Sequence, residues 1–237
     1  MKRLAIIPAR GGSKRLPNKN KLLLGGTPLI EHTIHAVASS GCFEKILFSS
    51  DDDHLLQIAS NNQDLLVEKR EASLASDKVK VIDLVKQIAD RKDYDNYDQV
   101  GLFLPTCPFR NETHIREGVE LLDREDFSVV SICEMSDPLQ LSLTINSENK
   151  IINLESVLSP SPLVTGKTRS QDFSKFYRVN GGFYISWLKK FRKKENFFQG
   201  QVKGYLMSAL ESVDIDHDYN LDYANMLLEK NYISLNR

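Results

Sequence analysis

Short apolar runs alternate with helix-period stretches over the first 133 residues. Leu4 to Ile7 is a run of four apolar residues stopped by Pro8, as expected of a strand buried on both faces. Lys45 to Ser49 (KILFS) repeats that signature, and Pro28 to Ser40 between them carries Leu29, Ile30, Ile34 and Val37 at helical spacing up to Gly41. Ser50-Asp51-Asp52-Asp53 offers caps for a helix through about Asn61, and Leu65 to Glu68 is a short third strand. Val79, Ile82, Leu84, Val85 and Ile88 predict a helix over Asp77 to Arg91, with Asp77 near its start. Gln99 to Leu104 is a strand ending in the turn Pro105 to Arg110. Asn111 to Asp123 follows as a helix and Phe127 to Cys133 as a strand.

This regular alternation argues for βαβ units and an α/β fold with a doubly wound, mostly parallel sheet. Ligands of such sheets sit beyond the carboxyl ends of the strands. The loop around Arg10, Asp51 and the turn Pro105 to Arg110 all follow strands, and so share one rim. From Glu134 to Arg178 the pattern breaks. Pro138, Pro160 and Pro162 and the short alternating segments LSLTI and KIINL predict a flexible, hairpin-rich insertion. Asn180 to Ile185 returns to a strand, Leu188 to Lys194 is a short basic helix, Lys203 to Leu206 and Ser212 to Ile215 are candidate strands, and Leu221 to Lys230 is a closing helix. The expectation is one domain over residues 1–237 with an insertion at about 134–178.

Composition narrows the chemistry. A hydrophobic share of 41% and a charged share of 27% are ordinary for a water-soluble globular chain. Against 31 Lys and Arg stand 32 Asp and Glu, so the net charge of −1 argues against general nucleic-acid or membrane-surface binding. Any basic site is local. Cys42, Cys107 and Cys133 are odd in number and match no metal spacing, which reads as reduced thiols of a cytoplasmic protein. The opening MKRLAIIPAR is too short in apolar residues for a signal peptide, and no segment reaches membrane-spanning length.

The local basic site is plain to see. Arg10, Gly11, Gly12, Ser13, Lys14, Arg15, Lys19 and Asn20 follow the first strand without one acidic residue. Glycines let the backbone approach a ligand and expose N–H groups, while Arg and Lys hold phosphates as a fork and a point charge. Neither GxxxxGK[ST] nor GxGxxG is present, so a P-loop and a dinucleotide fingerprint are both excluded. A longer loop with more cations suits a triphosphate whose pyrophosphate must be held as it leaves. Near the other end, Asp214 and Asp216 alternate along an extended stretch, so both carboxylates point to one face and offer a Mg²⁺ site completed by phosphate oxygens; the alternative is that Asp216 or Asp218 caps the following helix. His32 and His35 beside Glu31 read as helix surface, Cys107 lacks a base for nucleophilic work, and Lys189, Lys190, Arg192, Lys193 and Lys194 read as a solvated helix face.

Taken in order, IPARGGSKRLPNKN, SSD at 49–51, REASLASD at 70–77, PTCPFR at 105–110, YRVNGGFYI at 177–185 and VDID at 213–216 resemble the acylneuraminate cytidylyltransferase family, a Rossmann-like nucleotidyltransferase group that makes CMP-sugars from CTP. The resemblance spans nearly the whole chain. It implies that Arg10, Gly11, Gly12, Ser13, Lys14, Lys19, Asn20 and Arg70 bind the nucleotide, that Asp214 and Asp216 hold Mg²⁺, and that Arg10, Lys19, Asp214 and Asp216 carry catalysis. In that chemistry the anomeric hydroxyl of a 2-keto sugar acid attacks the α-phosphorus, and Asp214 or a metal-bound hydroxide takes the proton. Leu104, Gln140, Arg169, Arg178, Asn180 and Tyr184 would face the sugar, with Lys167 and Lys175 behind the two arginines. A homodimer built through the insertion is also implied.

Departures from the family fall mainly on the sugar side. Leu104 stands where enzymes for N-acetylneuraminic acid carry glutamine, Gln140 where they carry lysine, and Arg169-Ser170-Gln171-Asp172-Phe173 lacks their proline. Val79 and Val81 replace small residues near the base. A legionaminic, pseudaminic or related nonulosonic acid is the expected substrate. The same chemistry on 3-deoxy-manno-octulosonic acid and a non-catalytic nucleotide-binding regulator are the alternatives.

Overall fold

Successive side chains of β1 (Arg3–Pro8) enter two different cores, Leu4 and Ile6 one and Ala5 and Ile7 the other, all four being fully buried. A strand covered on both faces needs apolar residues at every position, which is why its sequence is a continuous run. The computed structural model describes residues 1–71, 74, 79–152 and 161–235. Asp77, Pro160, much of REASLASD and the end of KIINL lie outside the described residues.

After β1 come the two-residue strands β2 (Leu23–Leu24) and β3 (Thr27–Pro28), α1 (Leu29–Ser40), β4 (Lys45–Ser50), α2 (Asp53–Ser60), β5 (Leu65–Lys69), α3 (Val81–Ala89), β6 (Gln99–Leu102), α4 (Glu112–Leu121) and β7 (Ser128–Glu134). The chain continues through β8 (Thr144–Ile145), β9 (Ile151–Ile152), α5 (Pro162–Thr165), β10 (Tyr177–Trp187), α6 (Leu188–Lys194), β11 (Val202–Leu206) and α7 (Asp218–Glu229). Seven strands form one sheet in the order β11-β7-β10-β6-β1-β4-β5. The pairs β1–β4, β1–β6, β4–β5 and β7–β11 are parallel, and β10 runs antiparallel to β6. The sheet is thus mixed but mostly parallel, and the carboxyl ends of β1, β4 and β6 lie on one rim.

Helices cover both faces, as expected. Ile30, Ile34 and Val37 of α1, Leu55 of α2 and Ile115 of α4 pack with Ala5, Ile7, Ile46 and Phe48. Leu84, Val85 and Ile88 of α3 and Leu188 and Phe191 of α6 pack with Leu4, Ile6, Leu47 and Val100. Each such side chain contributes about 1.5–3 kcal/mol on burial, against about 1 kcal/mol or less for an exposed ion pair. Apolar alternation therefore sets the register. A third cluster joins Leu16, Leu24 and Leu29 from the front of the chain with Val213, Ile215, Ala224 and Leu227 from the back.

Several elements differ from expectation. α3 begins at Val81, because Lys80 is still extended and its N–H donates to the Asp83 carboxylate at 3.0 Å. Ser212 closes a turn, its N–H on Ser208 O at 3.1 Å, and Val213 to Ile215 belong to no described strand; the Ile215 N–H donates instead to Thr106 O at 2.8 Å. α7 starts three residues earlier than Leu221, where Asn220 Oδ1 accepts the N–H of His217 at 3.0 Å and of Asp216 at 3.3 Å. Neither Asp216 nor Asp218 makes that cap.

The chain forms two compact units, residues 1–132 with 179–237, and residues 133–178. Within the second unit Met135 N–H donates to Phe176 O at 2.9 Å, β8 and β9 form an antiparallel ladder, and Ser161 caps the short α5. No helix among the described residues is long and apolar enough to cross a membrane.

Candidate active site

The basic loop leaves β1 and is fastened at three points. Asn20, buried, donates its amide to Arg10 O at 2.9 Å, closing the far end of the loop on its near end. Gly11 N–H donates to Asp51 Oδ1 at 2.9 Å, so this N–H is turned to the protein rather than to a phosphate. A Cβ on Gly11 would lie 2.7 Å from Asp52 Oδ2 and 2.8 Å from Asp52 Cβ, so only glycine passes here. Asp52 is held rigidly, accepting from the N–H groups of His54 and Leu55 at the start of α2 and pairing with Lys21 at 2.6 Å. Burial works to raise the Asp52 carboxyl, but the hydrogen bond and charge of Lys21, with the two backbone donors, hold it below the usual carboxylate range.

The acidic arm approaches from the other end of the chain. Val213 and Ile215 enter the third core cluster, and the intervening alternation turns Asp214 and Asp216 into a cleft. Asp216 Oδ1 meets Lys19 Nζ at 2.6 Å, and its Oδ2 meets Arg15 Nη2 at 2.8 Å. Burial opposes its ionisation, but the Lys19 hydrogen bond and the charges of Lys19 and Arg15 outweigh this and lower its pKa. Burial and the nearby charge of Asp214 push the Tyr184 phenol up to about 12, so it stays protonated at neutral pH. Tyr184 also meets the rings of Phe197 and Phe198, with centroids 5.6 and 6.1 Å away.

The cleft has a volume of about 470 Å³. Arg10, Arg15, Lys19, Asp214 and Asp216 line a charged part of it, and Leu74, Val79, Val81, Leu84 and Leu104 supply an apolar part. Arg70 also lines the wall, its guanidinium donating to Ser49 O at 2.8 Å, and burial lowers its pKa. Of the residues predicted from sequence, Arg10, Lys19, Asn20, Arg70, Leu104, Asp214 and Asp216 share this wall. Gly12 and Lys14 are exposed and Ser13 is half-buried on the loop, off the wall.

The predicted sugar residues fall differently. Asn180 is 1% exposed, and its side chain is engaged inside the protein. Gln140, Arg169 and Arg178 belong to the second unit, where Gln140 is buried with its amide on Ser174 O at 2.9 Å and both arginines are exposed. Arg15, Lys80 and Thr106 line the cleft without having been singled out. Arg15 sits in the same cation run, yet nothing in that run tells which cations turn inward.

Other residues find structural roles. Cys107 is fully buried, with Sγ on Glu211 O, and no disulfide involves any of the three cysteines. Lys190 donates to the carbonyls of Arg124 and Asp126, and Arg192 to Ala89 O and Asp95, which fixes α6 by its basic face. His32 Nε2 lies 3.1 Å from Leu24 O. A more voluminous hollow of about 790 Å³ between α1 and α2 is lined by His32 and His35 and by no lysine or arginine.

Among the described residues no group of three or more His, Cys, Asp or Glu could hold a metal. A dication here would have two carboxylates, with its remaining positions left to ligand oxygens and water. That donor set suits a hard ion that keeps its waters and works with phosphates.

A cleft with cations along one part, a carboxylate pair beside them and an apolar part fits a nucleoside triphosphate. A family profile described as Cytidylyltransferase matches residues 4–237, and the chain belongs to this family of nucleotidyltransferase enzymes. It is 32% identical over 244 residues to a CMP-N,N'-diacetyllegionaminic acid synthase of Legionella pneumophila, covering 99% of this chain and 100% of that one. It is 33% identical over 218 residues to an N-acylneuraminate cytidylyltransferase of Streptococcus agalactiae, covering 91% of this chain and 51% of that one. Among solved structures, the fold matches that of a CMP:2-keto-3-deoxy-manno-octonic acid synthetase complexed with CTP, with a TM-score of 0.69 and 15% identity over 98% of this chain and 100% of that one.

Proposed function

We propose that this enzyme transfers CMP from CTP to the anomeric hydroxyl of a nonulosonic sugar acid, releasing pyrophosphate. The supporting observation is the meeting of Lys19 and Arg10 with Asp214 and Asp216 on one cleft wall. Leu74, Val79, Val81 and Leu84 would hold the base and Arg70 its polar edge. Arg10, Arg15 and Lys19, fixed by a fastened loop, would bind the triphosphate and stabilise charge building on the departing pyrophosphate. Asp214 and Asp216 would hold Mg²⁺, and Ser13 and Lys14 would reach the outer phosphates. When bound, Mg²⁺ offsets charge on the α-phosphoryl group and acidifies the attacking hydroxyl. Asp214 is the side chain offered to take that proton, and Tyr184, protonated beside it, donates a hydrogen bond to the sugar.

An anionic sugar acid calls for a guanidinium partner for its carboxylate, and Arg169 and Arg178 are the proposed donors. A legionaminic-type substrate is favoured over N-acetylneuraminic acid, since the Legionella relative matches along its whole length and an apolar Leu104 stands on the cleft wall. Leu143, Ile145, Ile151, Leu163 and Val164 are exposed apolar residues of the second unit and support assembly as a homodimer. A cytoplasmic location follows from the proposed use of CTP. Pyrophosphate release with CTP and Mg²⁺, measured across legionaminic, pseudaminic, N-acetylneuraminic and 3-deoxy-manno-octulosonic acids, tests the proposal. Turnover with a nonulosonic acid supports it, and silence across the panel in a protein that still binds CTP overturns it.

A further inference from the structure

Asn180 opens the Asn-Gly-Gly step of β10, and at 1% exposure it offers nothing to a substrate. All its polar capacity points inward. Nδ2 donates to Ser212 Oγ at 2.8 Å and to Met207 Sδ at 3.3 Å, while Oδ1 accepts the Gly182 N–H at 3.1 Å. Gly181 takes φ +78°, the left-handed region that favours glycine, directly after Asn180. Gly182 must lack a Cβ, which would lie 2.9 Å from Ser131 Oγ and 3.2 Å from Met207 Sδ.

The partner matters more than the contact. Ser212 is fully buried and stands two residues before Asp214 and four before Asp216. A further anchor along this arm is the Ile215 N–H on Thr106 O at 2.8 Å. Asp214 thus lies between two fixed points, one on β10 and one in the turn after β6. We propose that Asn180 is a positioning residue for the acidic arm: through Ser212 it sets where Asp214 and Asp216 present their carboxylates. This replaces a sugar contact for Asn180, and it rests on the proposed function only for the choice of CTP and a divalent cation as probes. Small displacements of groups around a metal or a reacting centre are costly, and loss of a residue behind the ligands lowers metal affinity or activity by about 10–100-fold.

The test compares Asn180→Ala, Ser212→Ala and the double variant, with melting temperatures confirming that each folds. Mn²⁺ uptake in the presence of CTP is read by electron paramagnetic resonance, and kcat and sugar KM are read separately. Both single variants should weaken Mn²⁺ binding and lower kcat by about 10-fold or more, with sugar KM unchanged within about twofold. The double variant should be no worse than the worse single one, because both sever one tether. A raised sugar KM in Asn180→Ala with normal Mn²⁺ binding overturns the proposal in favour of a sugar contact. Full additivity of the two changes, or a folded Ser212→Ala with wild-type Mn²⁺ binding, overturns it as well. Wild-type protein that binds Mn²⁺ with CTP but turns over no sugar acid refutes the functional reading alone, and the Mn²⁺ arm then still decides the role of Asn180.

Discussion

Lys19 Nζ and Asp216 Oδ1 stand 2.6 Å apart although 197 residues separate them in the chain. The pair keeps partial contact with solvent, at 13% and 25% side-chain exposure, so its own contribution to stability is about 1 kcal/mol or less. Its importance is that it brings a cation and an anion of opposite chain ends to one place.

A division between stability and rate follows. Lys19→Met should move the melting temperature by no more than about 4 °C while lowering kcat by about 10²–10³. Parallel melting curves and pyrophosphate-release assays check this. Unfolding of the variant at assay temperature would show that the pair serves the fold rather than the reaction.

Metal dependence should be conditional on nucleotide. Two carboxylates with no third His, Cys, Asp or Glu among the described residues give a hard dication little hold, so Mg²⁺ alone should shift the melting temperature hardly at all, and Mg²⁺ with CTP should shift it more than CTP alone. A chelator should stop turnover without lowering the melting temperature of the nucleotide-free protein. A large shift with Mg²⁺ alone would contradict a site completed by phosphate oxygens.

Gly11→Ala sets a Cβ against Asp52, which is itself tied to α2 and to Lys21. The expected loss is about 1–3 kcal/mol, from overpacking and a disturbed helix cap. Adding Asp52→Gly removes the obstructing side chain, and glycine at a helix start costs only a few tenths of a kcal/mol. The double variant should therefore be less destabilised than the sum of the singles in a denaturant titration. Simple additivity would mean that Gly11 serves some purpose other than letting the loop pass Asp52.

Acid should weaken the same junction. The folded pKa of Asp52 is lowered, so its contribution is fully present above the unfolded carboxylate value of about 4 and is lost as pH falls through the folded value. Stability measured from pH 6 down to pH 2 should fall less steeply in Asp52→Asn than in the wild type. Identical slopes would remove Asp52 from the acid-sensitive set.

What could be read in advance follows from what is local. The parallel strands were legible because burial on both faces demands unbroken apolar runs, as in Leu4 to Ile7 and Lys45 to Ser49. The same-face placement of Asp214 and Asp216 was legible because an extended chain alternates whether or not a neighbour pairs with it. The absence of that neighbour was not, since pairing depends on residues more than a hundred positions away. The burial of Asn180 was not legible for a similar reason: Gly181 takes a left-handed φ directly after it, and the inward turn of an asparagine leaves no mark in the sequence. Gln140 likewise turned to a backbone carbonyl, a partner available to any position.

The third core cluster, which packs Leu16 and Leu24 against Ala224 and Leu227, has a consequence during synthesis. A growing chain possesses its cationic loop within the first twenty residues but lacks the apolar floor beneath it until α7 has left the ribosome. Fragments that stop short of α7 are therefore expected to be inert toward nucleotide, and competence arrives only once α7 can pack.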